Sequence, residues 1–306
     1  MKRLKIVSKT NMSKDQINVL KQKTLFEQYY DNVKEMSVNQ TIKRIDDSEI
    51  VILNVFTPVN IKVLESCNHL KYIISGSSGI NHIDLNACKS KNVKIKWFPN
   101  YCSRTVAEKT FAYILIAMNN IIPAMKNYEQ GKWDYLLFKG RELTGKTICI
   151  LGCGATGSLV KEYSLAFGMN VHCVNSKTPI IEIHEMLKQS DIISLNMSLN
   201  DKTINYINDE KIKLLKDDVI IVNTSRGNLI EEDSLYRFLS SNKKAIAFLD
   251  VLNNEPPELD HPFRKLPNVY ITPHIGWNSL ESENILSEGI FNAAIAAINE
   301  MDNEFS

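Results

Sequence analysis

The sequence predicts an α/β protein built from two doubly wound parallel sheets. Three observations carry that reading. Apolar runs alternate with amphipathic ones along nearly the whole chain, the pattern of strand–helix–strand units. The apolar runs are short and unbroken, which suits strands covered on both faces. The chain has 306 residues, and domains run about 100–200 residues each, so two are expected.

Over residues 1–100, KRLKIVSK, EIVILNVFT, KYIISGSS and VKIKWFP read as buried parallel strands. SKDQINVLKQKT, NIKVLESC and HIDLNACKSKN read as the helices between them. Residues 104–127 then form one long helix containing FAYILIAM. That run is apolar on all sides, so it is expected to be buried all round, against the domains or a partner subunit. After residue 140 a second series begins: KTICILG, NVHCVN, DIISLN, DVIIVNTS, KAIAFLD and NVYITP. Helices such as EEDSLYRFLSSN lie between most of these strands, and six strands with crossover helices make a doubly wound sheet. The closing SLESENILSEGIFNAAIAAINEM has helical spacing and is expected to pack back on the first domain.

Composition narrows the class. Hydrophobic residues make up 44% and charged residues 23%, with a formal net charge of +1, so nothing points to a nucleic-acid or membrane partner. MKRLKIVSK is basic but lacks the apolar run of a signal peptide, and no stretch reaches about 18 consecutive apolar residues. The six cysteines form no CxxC pair. They read as reduced thiols of a cytoplasmic protein, with no metal site.

One turn carries specific chemistry. Gly152, Gly154 and Gly157 supply GxGxxG between the strand KTICIL and a helical run. The first glycine permits the tight turn and the second lets a pyrophosphate approach the backbone. The third allows close helix–strand packing, and the helix start at Ala155 and Thr156 favours phosphate charge. The next strand closes on Asn175, where such a turn expects an acid to accept the ribose hydroxyls. Asn175, Ser176 and Lys177 instead offer a neutral donor, a hydroxyl and a cation. That set suits the 2′-phosphate of NADP, with NAD still possible, since a charge-assisted bond contributes about 1.5–3 kcal/mol.

Three further stretches stand at strand ends: VNTSRGNLIEEDSL, AIAFLDVLNNEPPEL and NVYITPHIGW. They make Arg226, Asp250, Glu255 and His274 candidates for one cleft. With the glycine turn they resemble the D-isomer-specific 2-hydroxyacid dehydrogenase family. The resemblance runs through SGSSGINHIDL, VAEKTFAYILIAM, GKWDYLLFKGRELTGKTICILGCGATG, LNDKTINYINDEKIKLLKDDVIIVNTSRGNLI, LDVLNNEPPE and LPNVYITPHIGW, in order and spacing.

The resemblance implies a Rossmann cofactor domain, residues 101–274, inserted in a flavodoxin-like substrate domain, residues 1–100 plus 275–306. It implies a homodimer and reduction of a 2-oxo acid by hydride transfer. His274 would donate the proton, since an imidazole titrates near the working pH. Glu255 would fix its tautomer, and Arg226 would hold the substrate carboxylate or polarise the carbonyl. Asp250 would orient the nicotinamide carboxamide, and Thr224 would join the cofactor residues. Backbone amides of Ser77, Ser78 and Gly79 would bind the substrate carboxylate. His69, His82, His172, His184 and His261 read as surface or packing residues.

The chain departs from the family pattern in places. Lys109 stands where His usually follows VAE, Ser198 stands where Pro is usual, and GSSG replaces AGVG. Lys62 is the first basic residue after the loop NVFTPVN, and residue 306 leaves no room for a regulatory domain, so a phosphorylated substrate such as 3-phosphoglycerate is the alternative. Val55, Phe56 and Trp277 could wall a small pocket, and Trp277 resembles the glyoxylate and hydroxypyruvate reductases. Formate-oxidising relatives pair the His with Gln, against Glu255. A reading of another class is a dinucleotide-sensing co-repressor that binds partner peptides, and the lack of disordered extensions speaks against it.

Overall fold

The computed structural model describes residues 1–31 and 36–303. It divides into two compact units, Met1–Cys102 with Ser279–Ser306, and Ser103–Asn278. The expected boundaries differ by a few residues. Residues 275–278 stay with the second unit because side chains of that unit hold their backbone, as set out below.

In the first unit the order is β1 (Lys2–Ile6), α1 (Lys14–Lys23), β2 (Thr24–Gln28), α2 (Val38–Ile45), β3 (Ile50–Leu53), α3 (Ile61–Ser66), β4 (Tyr72–Ser75), α4 (Leu85–Ser90) and β5 (Lys94–Trp97). Among the described residues the strands form a parallel sheet in the order β2-β1-β3-β4-β5, the flavodoxin-like order. Adjacent residues of one strand serve opposite faces, and both faces are covered. Ile50 and Ile52 pack with Leu4, Ile6 and Ile74 on one side. Val51 and Leu53 pack with Val7, Ile73 and Val63 on the other. A period of two with both phases apolar is why these strands read as unbroken runs.

The sequence reading omits β2 and α2. β2 is an edge strand whose Leu25 is exposed, so TLFEQ has no continuous apolar run. α2 did carry a signal: Ser37 and Gln40 form a capping box, as Ser13 and Gln16 do for α1.

The second unit runs α5 (Ser103–Met118), α6 (Ile121–Glu129), β6 (Thr147–Leu151), α7 (Ala155–Ala166), β7 (Asn170–Val174), α8 (Ile180–Gln189), β8 (Ile192–Leu195), α9 (Asp209–Ile212), β9 (Ile220–Asn223), α10 (Glu232–Ser241), β10 (Ile246–Leu249) and β11 (Val269–Ile271). Its parallel sheet has the order β11-β10-β9-β8-β6-β7, and all six strands lie where the apolar runs place them. Cys149 and Leu151 face one core with Val174, Leu195 and Leu249. Ile148 and Ile150 face the other with Phe111, Ile114 and Val160.

The long helix expected over 104–127 is two helices. Asn120 adopts the left-handed region at φ 53°, and α6 starts afresh after it. Asn tolerates that conformation better than most residues. The FAYILIAM run is apolar all round because α5 is a core helix of its own unit. Phe111, Tyr113, Ile114, Ala117 and Met118 are all buried there.

The last helix, α11 (Leu280–Asn303), belongs to the first unit. Its Ile290, Ala294, Ile298 and Met301 close the face formed by Leu4, Ile6, Ile52 and Ile74. Among the described residues no helix is long and apolar enough to cross a membrane.

Candidate active site

In the second unit every strand is parallel, so the strand ends carrying the predicted residues line one edge of the sheet. β6 lies between β7 and β8. The turn after it therefore sits where the winding of the sheet reverses, the place where ligands enter such folds.

The glycine turn has the shape its spacing predicts. Gly152 has φ +99°, and a Cβ there would lie 2.7 Å from the Met197 backbone. A Cβ on Gly157 would overlap the Gly152 carbonyl oxygen. Gly154 caps α7 and would meet nothing within 4 Å. Two glycines are thus demanded by the protein itself, and the third leaves open space at a helix start, where Ala155, Thr156 and Gly157 open the helix. That cradle fits a dinucleotide pyrophosphate.

At the end of β7, Asn175, Ser176 and Lys177 are all exposed. Asn175 Oδ1 accepts from the Lys177 amide at 2.9 Å, and the Asn175 amide donates to Thr178 Oγ1 at 3.0 Å. With its carbonyl oxygen engaged in the turn, Asn175 keeps its side-chain NH₂ as a donor.

The expectation of six reduced thiols is corrected for two of them. Cys153 and Cys173 are joined by a disulfide. The register pairs Ile150 with Cys173 across β6 and β7. The glycine turn brings Cys153 back beside that pair, with Cα atoms 6.0 Å apart, a spacing a bridge can span. Cys67, Cys88, Cys102 and Cys149 are free and buried. Burial pushes the Cys149 thiol up to about 12, so it stays protonated and inert.

The remaining candidates cluster after β9, β10 and β11. His274 Nδ1 lies 2.6 Å from Glu255 Oε2. Glu255 Oε1 accepts from the Leu252 amide at 2.9 Å. Burial alone would raise the Glu255 pKa. The His274 contact, the Leu252 amide and the Arg226 charge outweigh it and hold the carboxyl below its ordinary value. Glu255 is therefore an anion at neutral pH and keeps the proton of the pair on Nδ1.

Arg226 lies just after β9, with Nη1 donating to the Ser225 carbonyl at 2.8 Å. Asn223, which the sequence reading did not single out, shapes this turn. It accepts from the Ser225 amide at 3.0 Å and donates to the Arg226 carbonyl at 2.9 Å. Thr224 is buried, and its hydroxyl pairs with that of Thr110 at 2.7 Å. That contact ties Thr224 to α5.

Asp250 is 1% exposed, and its carboxylate accepts three hydrogen bonds. Thr272 Oγ1 at 2.6 Å and the Ile275 amide at 2.9 Å reach Oδ1, and the Gly276 amide at 2.6 Å reaches Oδ2. The residue expected to orient a carboxamide thus also holds the backbone that follows His274. Trp277 lies half-buried in that segment.

In the first unit, Ser77 is buried. Its amide donates to the Ser75 carbonyl at 2.8 Å, and its hydroxyl donates to the Gly79 carbonyl at 2.8 Å. Ser78 and Gly79 are half-buried on the same loop. His82, read as a surface or packing residue, places Nε2 3.2 Å from Ser75 Oγ at the base of that loop.

Residues 111–276 match the model of the D-isomer specific 2-hydroxyacid dehydrogenase, NAD binding domain. The hydroxypyruvate reductase of Thermotoga maritima is 33% identical over 259 residues, covering 82% of this chain and 85% of that protein. Among solved structures, an acyclic imino acid reductase, Bsp5, in complex with NADPH and D-Arg superposes with a TM-score of 0.88 at 29% identity, covering 97% of each chain. The D-lactate dehydrogenase of Aquifex aeolicus complexed with NAD and lactic acid gives 0.84 at 28% identity, covering 98% of this chain and 96% of that one. On the strength of the matched model and the length of these similarities, the chain belongs to the D-isomer specific 2-hydroxyacid dehydrogenase family.

Proposed function

We propose that this protein reduces a small 2-oxo acid of the glyoxylate or hydroxypyruvate type to its D-2-hydroxy acid, with NADPH preferred. The carrying observation is the His274–Glu255 pair, 2.6 Å apart, at the edge of the sheet that also bears the glycine cradle. When bound, a reduced nicotinamide supplies the hydride for the carbonyl carbon. His274 gives the proton at Nε2 to the carbonyl oxygen as negative charge develops there. Glu255 holds Nδ1 and stabilises the imidazolium before the transfer. Arg226 offers a planar fork of donors to the carboxylate or carbonyl of the acid. On the first unit's loop, Ser78 and Gly79 supply amides for the carboxylate. Ser77 contributes its hydroxyl to the loop's shape, since its amide is engaged by Ser75.

The exposed Asn175, Ser176 and Lys177 support the NADPH preference. A homodimer is supported by the exposed apolar side chains of Met125, Tyr128, Trp133, Tyr135 and Leu136, a density that favours burial against a second copy.

The test is a panel of glyoxylate, hydroxypyruvate, pyruvate and 3-phosphohydroxypyruvate, crossed with NADH and NADPH, each with and without an amine. Turnover of a small oxo acid without amine is expected. Reduction seen only with amine present would replace the oxo acid by an imine as the substrate class. No turnover with cofactor binding intact would favour a sensing role.

A further inference from the structure

We infer that Lys109 is a positioning residue for the proton donor, clamping two carbonyls of the 274–278 segment, those of Ile275 and Asn278, while the Asp250 carboxylate clamps the Ile275 and Gly276 amides. This rests on the reading of His274 given above.

His274 has φ +53°, a left-handed conformation that costs a non-glycine residue energy and persists only where the surroundings impose it. The surroundings impose it from both sides. The His274 amide donates to the Asp250 and Thr272 carbonyls, each at 2.9 Å. The next two amides, Ile275 and Gly276, go to the Asp250 carboxylate. Two carbonyls of the segment go to one cation. Lys109 Nζ donates to the Ile275 carbonyl and, at 2.8 Å, to the Asn278 carbonyl. The Asn278 amide closes the turn on Ile275 at 3.0 Å. An anion on the N–H side and a cation on the C=O side fix the strained backbone with charge-assisted bonds, the stronger kind.

The mount for this clamp is rigid. Lys109 stands on α5, whose Phe111, Ile114 and Met118 are seated in the core against Ile148 and Ile150. The adjoining Thr110 bonds Thr224, two residues before Arg226. Lys109 and Thr110 on one turn of α5 thus secure both loops that carry the site: Lys109 the segment after His274, Thr110 the segment before Arg226. The charged groups around His274 are Glu255 after β10, Arg226 after β9, Asp250 at the end of β10 and Lys109 on α5. The family's usual histidine after VAE could not span two carbonyls with one flexible ammonium, so this clamp belongs to the Lys of this chain.

The test uses the full chain with Trp97→Phe and Trp133→Phe, which leaves Trp277 as the sole tryptophan. Lys109→Met and Lys109→Arg are compared with that parent. Four quantities are read: kcat, KM for the oxo acid, the NADPH dissociation constant, and acrylamide quenching of Trp277. Lys109→Met is expected to lower kcat roughly ten- to hundredfold, the scale of a misplacement of about 1 Å. NADPH affinity should stay within about twofold, and Trp277 should become more readily quenched. Lys109→Arg, which keeps the charge and two donors, should recover most of kcat. Parent-like kcat and quenching in Lys109→Met would overturn the inference. So would a loss shared equally by cofactor affinity and kcat that Arg does not rescue. Should the parent turn over no oxo acid, the functional reading fails, and unchanged quenching in Lys109→Met would overturn the clamp separately.

Discussion

His274 is held at its ring, its amide and the backbone that follows it. Its ring is held by Glu255, its amide by two carbonyls, and its left-handed backbone by the bonds that follow it. Removal of the ring by His274→Ala should lower turnover by about 10²–10⁴-fold, the usual worth of a general acid, while NADPH fluorescence titration stays near the parent curve. Near-normal turnover would remove His274 from the mechanism. Glu255→Gln keeps an acceptor for Nδ1 but removes the charge. A drop in kcat/KM of roughly tenfold or more is expected, equal to about 1.4 kcal/mol. The sign of the pH effect follows from the depressed Glu255 pKa. Its stabilising contribution is complete above the ordinary carboxylate range and fades only as pH falls through the lower folded value. At the other end of the cofactor cradle, Asn175→Asp places a carboxylate where a 2′-phosphate would lie. Repulsion at an exposed site costs about 1–2 kcal/mol, so the kcat/KM ratio for NADPH over NADH should fall about tenfold. A parent that already prefers NADH would sink the NADP reading. The placement of His274, Glu255 and Arg226 at neighbouring strand ends was legible in the sequence because the residues around them are specific. The bonds of Asp250, Thr224 and Lys109 were not, since hydrogen bonds across the chain leave no local pattern.

At the scale of elements, the continuous apolar strands were legible and the edge strand β2 was not. TLFEQ is wet on one side and carries little apolar signal, whereas IIVN and IAFL are buried on both. The break between α5 and α6 was also hidden. It depends on the left-handed Asn120, and Asn gives only a weak warning of that conformation. The disulfide illustrates the same limit. Cys153 and Cys173 are 20 residues apart in sequence and become neighbours only through the register of β6 with β7. Under denaturing conditions without reductant, a thiol reagent should count four cysteines, those at 67, 88, 102 and 149. A count of six would show that the bridge is not formed.

For the molecule as a whole, the family and both sheets could be read in advance, because order and spacing of motifs survive at one-third identity. Of the two places open to the apolar run on α5, the core of its own unit takes most of it. FAYILIAM is spent on the core of its own unit, while the side chains left in water lie further on, with Trp133 84% and Tyr135 79% exposed. Light scattering at micromolar concentration should give a dimer, and Trp133→Glu with Tyr135→Glu should shift it toward the monomer. A monomeric parent would refute the homodimer. The discontinuity of the first unit has a consequence during synthesis. Strands β1 to β5 leave the ribosome before the inserted unit, yet α11, which packs on Ile6, Ile52 and Ile74, leaves after it. The inserted unit can complete its fold while the earlier one still lacks the α11 side chains that cover one face of its sheet. A nascent chain halted just before Leu280 should therefore hold a finished cofactor unit beside a sticky, unfinished partner, the form in which a chaperone would meet it.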